Sequence, residues 1–543
     1  MERMGRALPS ILAVAAAASM LAGAAPARAQ GGGEAEMPRL VRRDGRFALM
    51  VDGRPFLVLG AQANNSSNYP AMLPMVWPAI ERLHANTLEI PVAWEQVEPR
   101  EGRFDFSWVD TVVAQAREHR VRLVLLWFGT WKNTGPAYTP EWVKLDNRRF
   151  PRMIDAEGAT HYALSPHARS TLDADRRAFV AFMRHLRQID GTRHTVIMVQ
   201  PENETGTYGL VRDHSPAAEA LFRGPVPDAL LRRLGKAPGS WAQVFGRDAD
   251  EFFHAWSIAS YVNEVAQAGK AVYPLPMYAN ASVMDPLHPQ DPKTYSSGGP
   301  TRTVLDVWKA AAPAIDLLAP DIYARDHREY LAHLDHYTRP DNALFVPETG
   351  NDRVHARFFF EVIGRGAIGF APFGFDLTGY SNAPLGAPVL DDSTFEAFAM
   401  NYRLFAPMAR EWAAIALEHR TWGAAEPTDV HEQTLPLGRW KATVSYGRPQ
   451  FGFPPAPGNS TPRGGVAIAQ LGPDEFLVTG YHARVAFDLA QAAGRHAIVA
   501  RVEEGEYRDG AWRFRRVWNG DQTDYGLNFT ALPQVLRVRM ATY

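Results

Sequence analysis

Apolar and polar positions divide the chain into two textures. Over residues 47–412, short apolar runs alternate with longer stretches of helical spacing. The runs 47–51 and 55–58, joined by Asp52-Gly53, predict a hairpin. It leads into a first buried strand at 57–60. Further strands are predicted at 86–92, 121–127, 196–199, 271–278, 315–322, 343–346 and 366–373. Helices are predicted near 75–85, 108–119, 173–188 and 250–268. Eight strand–helix units imply a parallel sheet of the α/β class, and a (β/α)8 TIM barrel with long loops accommodates them. An open doubly wound sheet is the alternative. It ordinarily carries a Gly-rich phosphate loop after its first strand, and none is present. Beyond 412 the texture changes to short alternating runs separated by Gly, Pro and Asp, which predict a C-terminal β-sandwich over 413–543.

The barrel reading gives the polar ends of the apolar runs a meaning, because barrel enzymes keep their chemistry at the C-terminal ends of the strands. The fourth run ends in Glu202-Asn203-Glu204 and the seventh in Pro347-Glu348-Thr349-Gly350. Strands four and seven end on opposite sides of a barrel mouth, so Glu204 and Glu348 face one another. A facing carboxyl pair is what glycoside hydrolysis needs, one member protonated to release the leaving oxygen and the other ionised to attack the sugar. Glu204, beside the apolar strand, is the better acid and Glu348 the nucleophile. Asn203 is placed to bind the sugar's 2-hydroxyl, and Tyr323, after strand six, to hydrogen-bond Glu348. Glu202 shares the facing of Glu204 by period-2 alternation and is expected to tune it or to touch substrate. Trp94, Trp127, Trp131 and Phe375 are candidate sugar platforms, with core packing as their alternative. Asn133 follows strand three on the same face. Glu89, inside a strand, reads as a structural ion-pair partner.

Composition removes other classes. The chain has 543 residues, a formal net charge of −2 and no Cys. That excludes a disulfide framework and thiolate chemistry, and nothing in the charge suggests nucleic acid. No His-Glu-x-x-His or Gly-x-Ser-x-Gly occurs, and no metal or cofactor is expected. Arg3 and Arg6, an apolar stretch over 11–25 and Ala27-Arg28-Ala29 predict a signal peptide over 1–29, so the protein is expected to be exported, periplasmic or extracellular, with no membrane anchor after cleavage. Residues 30–46 read as a linker. Asn-x-Ser/Thr sequons occur at Asn64, Asn65, Asn203, Asn280, Asn459 and Asn528. A glycan on Asn203 would block the proposed site, which fits a bacterial exporter.

The segment Gln200-Pro201-Glu202-Asn203-Glu204-Thr205-Gly206 resembles the Gln-x-Glu-Asn-Glu-x-Gly signature of glycoside hydrolase family 35, retaining β-galactosidases of clan A. Asn86-Thr87, Trp94, Glu98-Pro99, Gly102 and Phe104-Asp105-Phe106 resemble that family's second-strand block. The resemblance runs from about residue 47 to 375. It implies that Glu204 is the acid/base and Glu348 the nucleophile, that no cofactor is needed, and that the substrate carries a terminal β-galactosyl residue. Two blocks depart from the family: Pro91-Val92-Ala93-Trp94 stands for Tyr-x-Pro-Trp, and 126–133 replaces the Arg-Pro-Gly-Pro-Tyr loop. The second resembles a bacterial subgroup with an appended β-domain, some members of which trim galactose from xyloglucan side chains. The expectation is therefore an exo-acting β-galactosidase of plant-type oligo- or polysaccharides. The rivals are another exo-β-glycosidase, for a glucosaminide or glucoside, and a non-catalytic carbohydrate-binding barrel.

Overall fold

The computed structural model describes residues 36–448, 455–492 and 494–543; the expected signal segment lies outside them. Three short antiparallel strands open the fold, β1 (Arg39–Arg43), β2 (Arg46–Val51) and β3 (Arg54–Phe56). Asp52 and Gly53, both at positive φ, make the β2–β3 turn. β1 is a strand where a linker was expected, held in register against β2 from Arg39–Met50 to Arg43–Arg46.

Eight parallel strands follow: β4 (Val58–Gln62), β5 (Thr87–Ala93), β6 (Arg122–Lys132), then, after a hairpin of β7 (Arg152–Ile154) and β8 (Thr160–Leu164), β9 (Val196–Asn203), β10 (Tyr278–Ser282), β11 (Leu317–Ile322), β12 (Val346–Thr349) and β13 (Gly369–Pro372). Their order places β13 beside β4, and a single parallel bridge, Val199–Met277, joins β9 to the start of β10, so the sheet closes as a TIM barrel. The fifth strand differs from expectation. The apolar run 271–278 holds the end of the helix Ala249–Val272 and an irregular connection, and pairing begins only with the Met277 bridge and the strand from Tyr278. The seventh pairs over Val346–Thr349, later than its apolar run suggests.

Alternation along the strands sorts the two buried faces. In β6, Leu123, Leu125 and Trp127 pack in the layer between strands and helices, whereas Val124, Leu126 and Phe128 belong to the barrel interior. In β5, Leu88, Ile90 and Val92 face the helices. Glu89 therefore points inward, where it accepts a hydrogen bond from the Tyr278 hydroxyl at 3.0 Å. It has that phenol as partner rather than the cation expected, and burial pushes its carboxyl well above the ordinary range. Leu49, Val51 and Phe56 from β2 and β3 join the interior cluster and plug the end of the barrel opposite the strands' C-termini.

The C-terminal residues form a six-stranded sheet, which includes strands Thr421–Ala425, Gly465–Gly472 and Glu475–Tyr481, and a four-stranded sheet, which includes Trp440–Tyr446 and Ala483–Leu489; both are antiparallel. They enclose one apolar core containing Trp440, Val444, Ile468, Val478 and Val485, which makes a sandwich. Barrel and sandwich meet without a gap. A Cβ on Gly423 would lie 1.9 Å from the Phe360 carbonyl oxygen, and one on Gly364 would lie 2.1 Å from the Gly423 nitrogen. The helix Phe359–Gly364 thus lies backbone against backbone on the strand Thr421–Ala425. Beside this contact Glu361, 3% exposed, pairs with Arg365 at 2.5 Å and accepts from the Ala425 amide at 3.1 Å.

Candidate active site

The C-terminal ends of β6, β9, β11 and β12 converge on a cavity of about 620 Å³, lined by Lys132, Asn133, Glu204, Asp321, Tyr323 and Glu348 among others. One oxygen from each of Glu204, Asp321 and Glu348 lies within 4.8 Å of the other two. The turn that delivers Glu204 departs from ordinary strand geometry: Glu202 (φ 64°) and Glu204 (φ 43°) both adopt the left-handed region. Non-glycine residues seldom do so without support from their surroundings. That support is visible on two sides. In front, the Glu204 amide donates to Asn280 Oδ1 at 2.9 Å, and Asn280 Nδ2 donates to Asp321 Oδ2 at 2.6 Å. Behind, the Trp131 amide donates to Glu202 Oε2 at 2.7 Å.

Glu348 extends from β12 and accepts a short hydrogen bond from the Tyr323 hydroxyl. His355, wholly buried, spans 2.7 Å to Asp352 and 3.2 Å to the Tyr323 carbonyl, and so braces the tyrosine. Burial, and then the charge of Glu204, pushes the Glu348 carboxyl up to about 7, while Lys132, Tyr323 and Gln62 pull the other way. Asp321 is pushed well above its ordinary range by burial, then by the charges of Glu348 and Glu204. Its Oδ1 finds no donor among the described residues, as suits an oxygen carrying its own proton. Asp321 and Glu348, both raised by this crowding, hold a proton between them near neutrality. Among the described residues, the trio of Glu204, Asp321 and Glu348 is the one group of carboxylates and imidazoles close enough to share a cation.

The expected site residues separate into two groups. Glu204, Glu348, Tyr323 and Asn133 line the cavity. Asn203, fully buried, lies beside them and is oriented by neighbours: its Nδ2 donates to Asn133 Oδ1 at 3.1 Å, and Gln200 Nε2 donates to its Oδ1 at 2.9 Å. The others are not brought to the cavity. Trp94, Trp127 and Trp131 continue the outward parity of β5 and β6 into the helix layer. Trp94 packs edge-on against Trp142 and donates to Glu98 at 3.0 Å, while Trp131 lies on Tyr261 and donates to the Leu164 carbonyl at 3.1 Å. Phe375 is enclosed by Phe395 and Phe398. Glu202 faces away from the cavity, toward Asp175, and both are fully buried. Desolvation, then the Asp175 charge, pushes Glu202 well above the ordinary carboxylate range. A Cβ on Gly129 would lie 2.6 Å from Glu202 Oε1 and 2.9 Å from Asp175 Oδ1, so only glycine lets the two carboxyls meet there. Lys132, Asn280 and Asp321 were not among the expected site residues. Each sits at the end of a barrel strand, and a polar residue in an otherwise apolar run is the signal that marks it.

Comparison with known proteins gives partial matches. Residues 78–263, about a third of the chain, match the glycoside hydrolase family 42 model described as "Beta-galactosidase". The matching model is thus the family 42 one and not the family 35 one that 200–206 resembles. Residues 398–530 match a domain of unknown function, DUF5597. A beta-galactosidase Bga of Halorubrum lacusprofundi is 26% identical over 159 residues, covering 28% of this chain and 22% of its own. BgaA of a Thermus species is 28% identical over 141 residues, covering 24% of this chain and 19% of its own. The chain therefore spans about a fifth of the length of these relatives. The crystal structure of a β-galactosidase from Bacillus circulans sp. alkalophilus aligns at a TM-score of 0.48 and 13% identity, over 66% of this chain and 57% of that one. Glu204 lies inside the matched segment, whereas Glu348 lies beyond it and is singled out by geometry alone. Residues 78–263 accordingly match a β-galactosidase domain of the family 42 type.

Proposed function

We propose that the protein is an exported, retaining exo-β-galactosidase that removes terminal β-galactosyl residues from plant-type oligo- or polysaccharides. The observation that carries this reading is the pairing of Glu204 and Glu348 across the mouth, each with an oxygen within 4.8 Å of the other. That spacing is nearer the about 5–5.5 Å between carboxyls of retaining glycosidases than the about 6.5–9.5 Å of inverting ones. Glu348, held by Tyr323, attacks the anomeric carbon as Glu204 protonates the departing oxygen. Glu204, now ionised, then draws a proton from water, which displaces Glu348 and releases the sugar with its configuration retained. Asn203, fixed by Gln200 and Asn133, binds the 2-hydroxyl. The galactosyl preference is supported by the family 42 match and the names of the relatives.

The test is a panel of nitrophenyl β-glycosides. Turnover of the galactoside above the glucoside and mannoside is expected. Glu348→Gly should abolish it, and added azide should restore cleavage with α-galactosyl azide as product. Glu204→Ala should slow substrates with poor leaving groups far more than activated ones. Wild-type turnover in either variant would overturn the assignment. Amino-terminal sequencing of the exported protein is expected to begin at Gln30.

A further inference from the structure

Beside the catalytic cavity lies a second, of about 680 Å³, and Asn65, Phe373 and Leu385 line both. The loops after β4 and β13 build it, and Asp376 joins them. That carboxylate accepts from the Asn64 amide at 2.8 Å, from Asn64 Nδ2 at 3.0 Å and from Ser67 Oγ at 2.7 Å, all on the β4 loop, and from Thr378 on its own. Burial alone would raise Asp376, but the hydrogen bonds from Thr378, Ser67 and Asn64 outweigh it and hold the group below the ordinary range. The wall between the loops is thus a fixed structure.

Its lining mixes polar and apolar groups and, among the described residues, carries no charge. Asn64, Ser66, Tyr138, Tyr380 and Asn382 supply amides, hydroxyls and phenol rings, and no Lys, Arg, Asp, Glu or His among the described residues contributes. An anionic or cationic ligand would find no counter-ion there. A neutral, hydroxyl-rich ligand with apolar C–H faces would find donors, acceptors and ring faces together. Tyr380 is 68% exposed at the rim, available for stacking. At the junction, Asn65 Oδ1 is buried and has no hydrogen-bond partner among the described residues. A buried acceptor left without a donor is costly, and a sugar hydroxyl crossing from one cavity to the other would satisfy it.

We propose that the second cavity is a sugar subsite continuous with the catalytic one, so that the preferred substrate is a neutral oligo- or polysaccharide occupying both. The inference rests on the glycosidase reading: with the terminal sugar over Glu204 and Glu348, the second cavity holds the sugar units to which it is attached.

The experiment compares kcat/KM for nitrophenyl β-galactoside, a β-galactosyl disaccharide and a series of longer neutral β-galactosyl oligosaccharides, in the wild type and in Tyr380→Ala and Asn382→Ala. In the wild type kcat/KM should rise about tenfold or more once the chain is long enough to enter the second cavity. Either variant should lose most of that rise, with unchanged thermal unfolding showing that the loops remain intact. If the galactoside and disaccharide are cleaved but kcat/KM is flat with length, or the rise persists in both variants, the subsite is overturned while the glycosidase reading stands. If no glycoside in the set is cleaved, the glycosidase reading falls and the subsite with it.

Discussion

At the scale of single residues, the site sets two demands on Glu348 that oppose each other. Enclosure among carboxyls favours its protonated form, and the proposed attack on a sugar needs the ionised one. The Tyr323 hydroxyl and the Lys132 ammonium resolve the conflict by favouring the charge. In the free enzyme the acid limb of kcat/KM is therefore expected near pH 7, well above that of an ordinary carboxylate. Tyr323→Phe removes a donor to the ionised form, so the limb should move to higher pH and kcat should fall by roughly 10–100-fold. A pH–rate profile checks both, and a limb moving to lower pH would contradict the assignment of Tyr323. Lys132→Met should shift the limb in the same direction by removing the positive charge.

At the scale of elements, the strand that carries Glu204 is held from behind by residues that never reach substrate. Gly129 in β6 is the tightest point: a methyl there would meet Trp127 Nε1 at 2.5 Å as well as the Glu202 and Asp175 carboxyls. Gly129→Ala is expected to cost about 1–3 kcal/mol of stability, the usual penalty for overpacking a filled core. It should also lower kcat, because the displaced Glu202 lies two residues from Glu204, the proposed acid. Denaturant titration with kinetics on the folded fraction separates the two effects. The barrel was legible in the sequence because its strands are short apolar runs closed by polar residues, and Glu204 with Glu348 followed from that layout. The fifth strand was not, since the run 271–278 is as compatible with a helix end as with a strand. The aromatic candidates show a different limit. Trp94 and Trp131 sit at the right ends of the right strands, yet parity sends them outward, and their parity is readable only once the inward set of Glu89, Val124 and Phe128 is known. Asn280 and Asp321 stand at the ends of the fifth and sixth apolar runs but received no role, because a single amide or carboxyl at a strand end gains meaning only from what faces it across the mouth.

On the scale of the whole molecule, buried imidazoles couple stability to pH. Burial lowers His254 to about 3 and His333 to about 4, so the folded protein leaves both uncharged while the unfolded chain protonates them below about 6.5. The unfolded state then binds more protons, and stability falls as pH drops from about 6.5 toward 4, by ~1.4 kcal/mol per pH unit for each group. Melting temperatures across that range should decline, and His254→Gln, where Nε2 meets the Thr207 hydroxyl at 3.0 Å, should flatten the decline. A decline of the same slope in the variant would locate the acid sensitivity elsewhere.

The glycine-to-glycine seam between Phe359–Gly364 and Thr421–Ala425 has a consequence for how the protein can be taken apart. The seam's helix lies in the segment between β12, the strand of Glu348, and β13, so the sandwich acts as an outer wall of the barrel rather than as a tethered passenger. A chain cut after residue 412 would bare a backbone face that no side chain covers. Such a piece is expected to aggregate rather than to yield a smaller enzyme, and the intact protein should melt in one calorimetric step that coincides with loss of activity. In modular terms, the C-terminal portion is not portable: grafted onto another barrel it would lack its matching glycine, and this barrel would not accept a different module in its place.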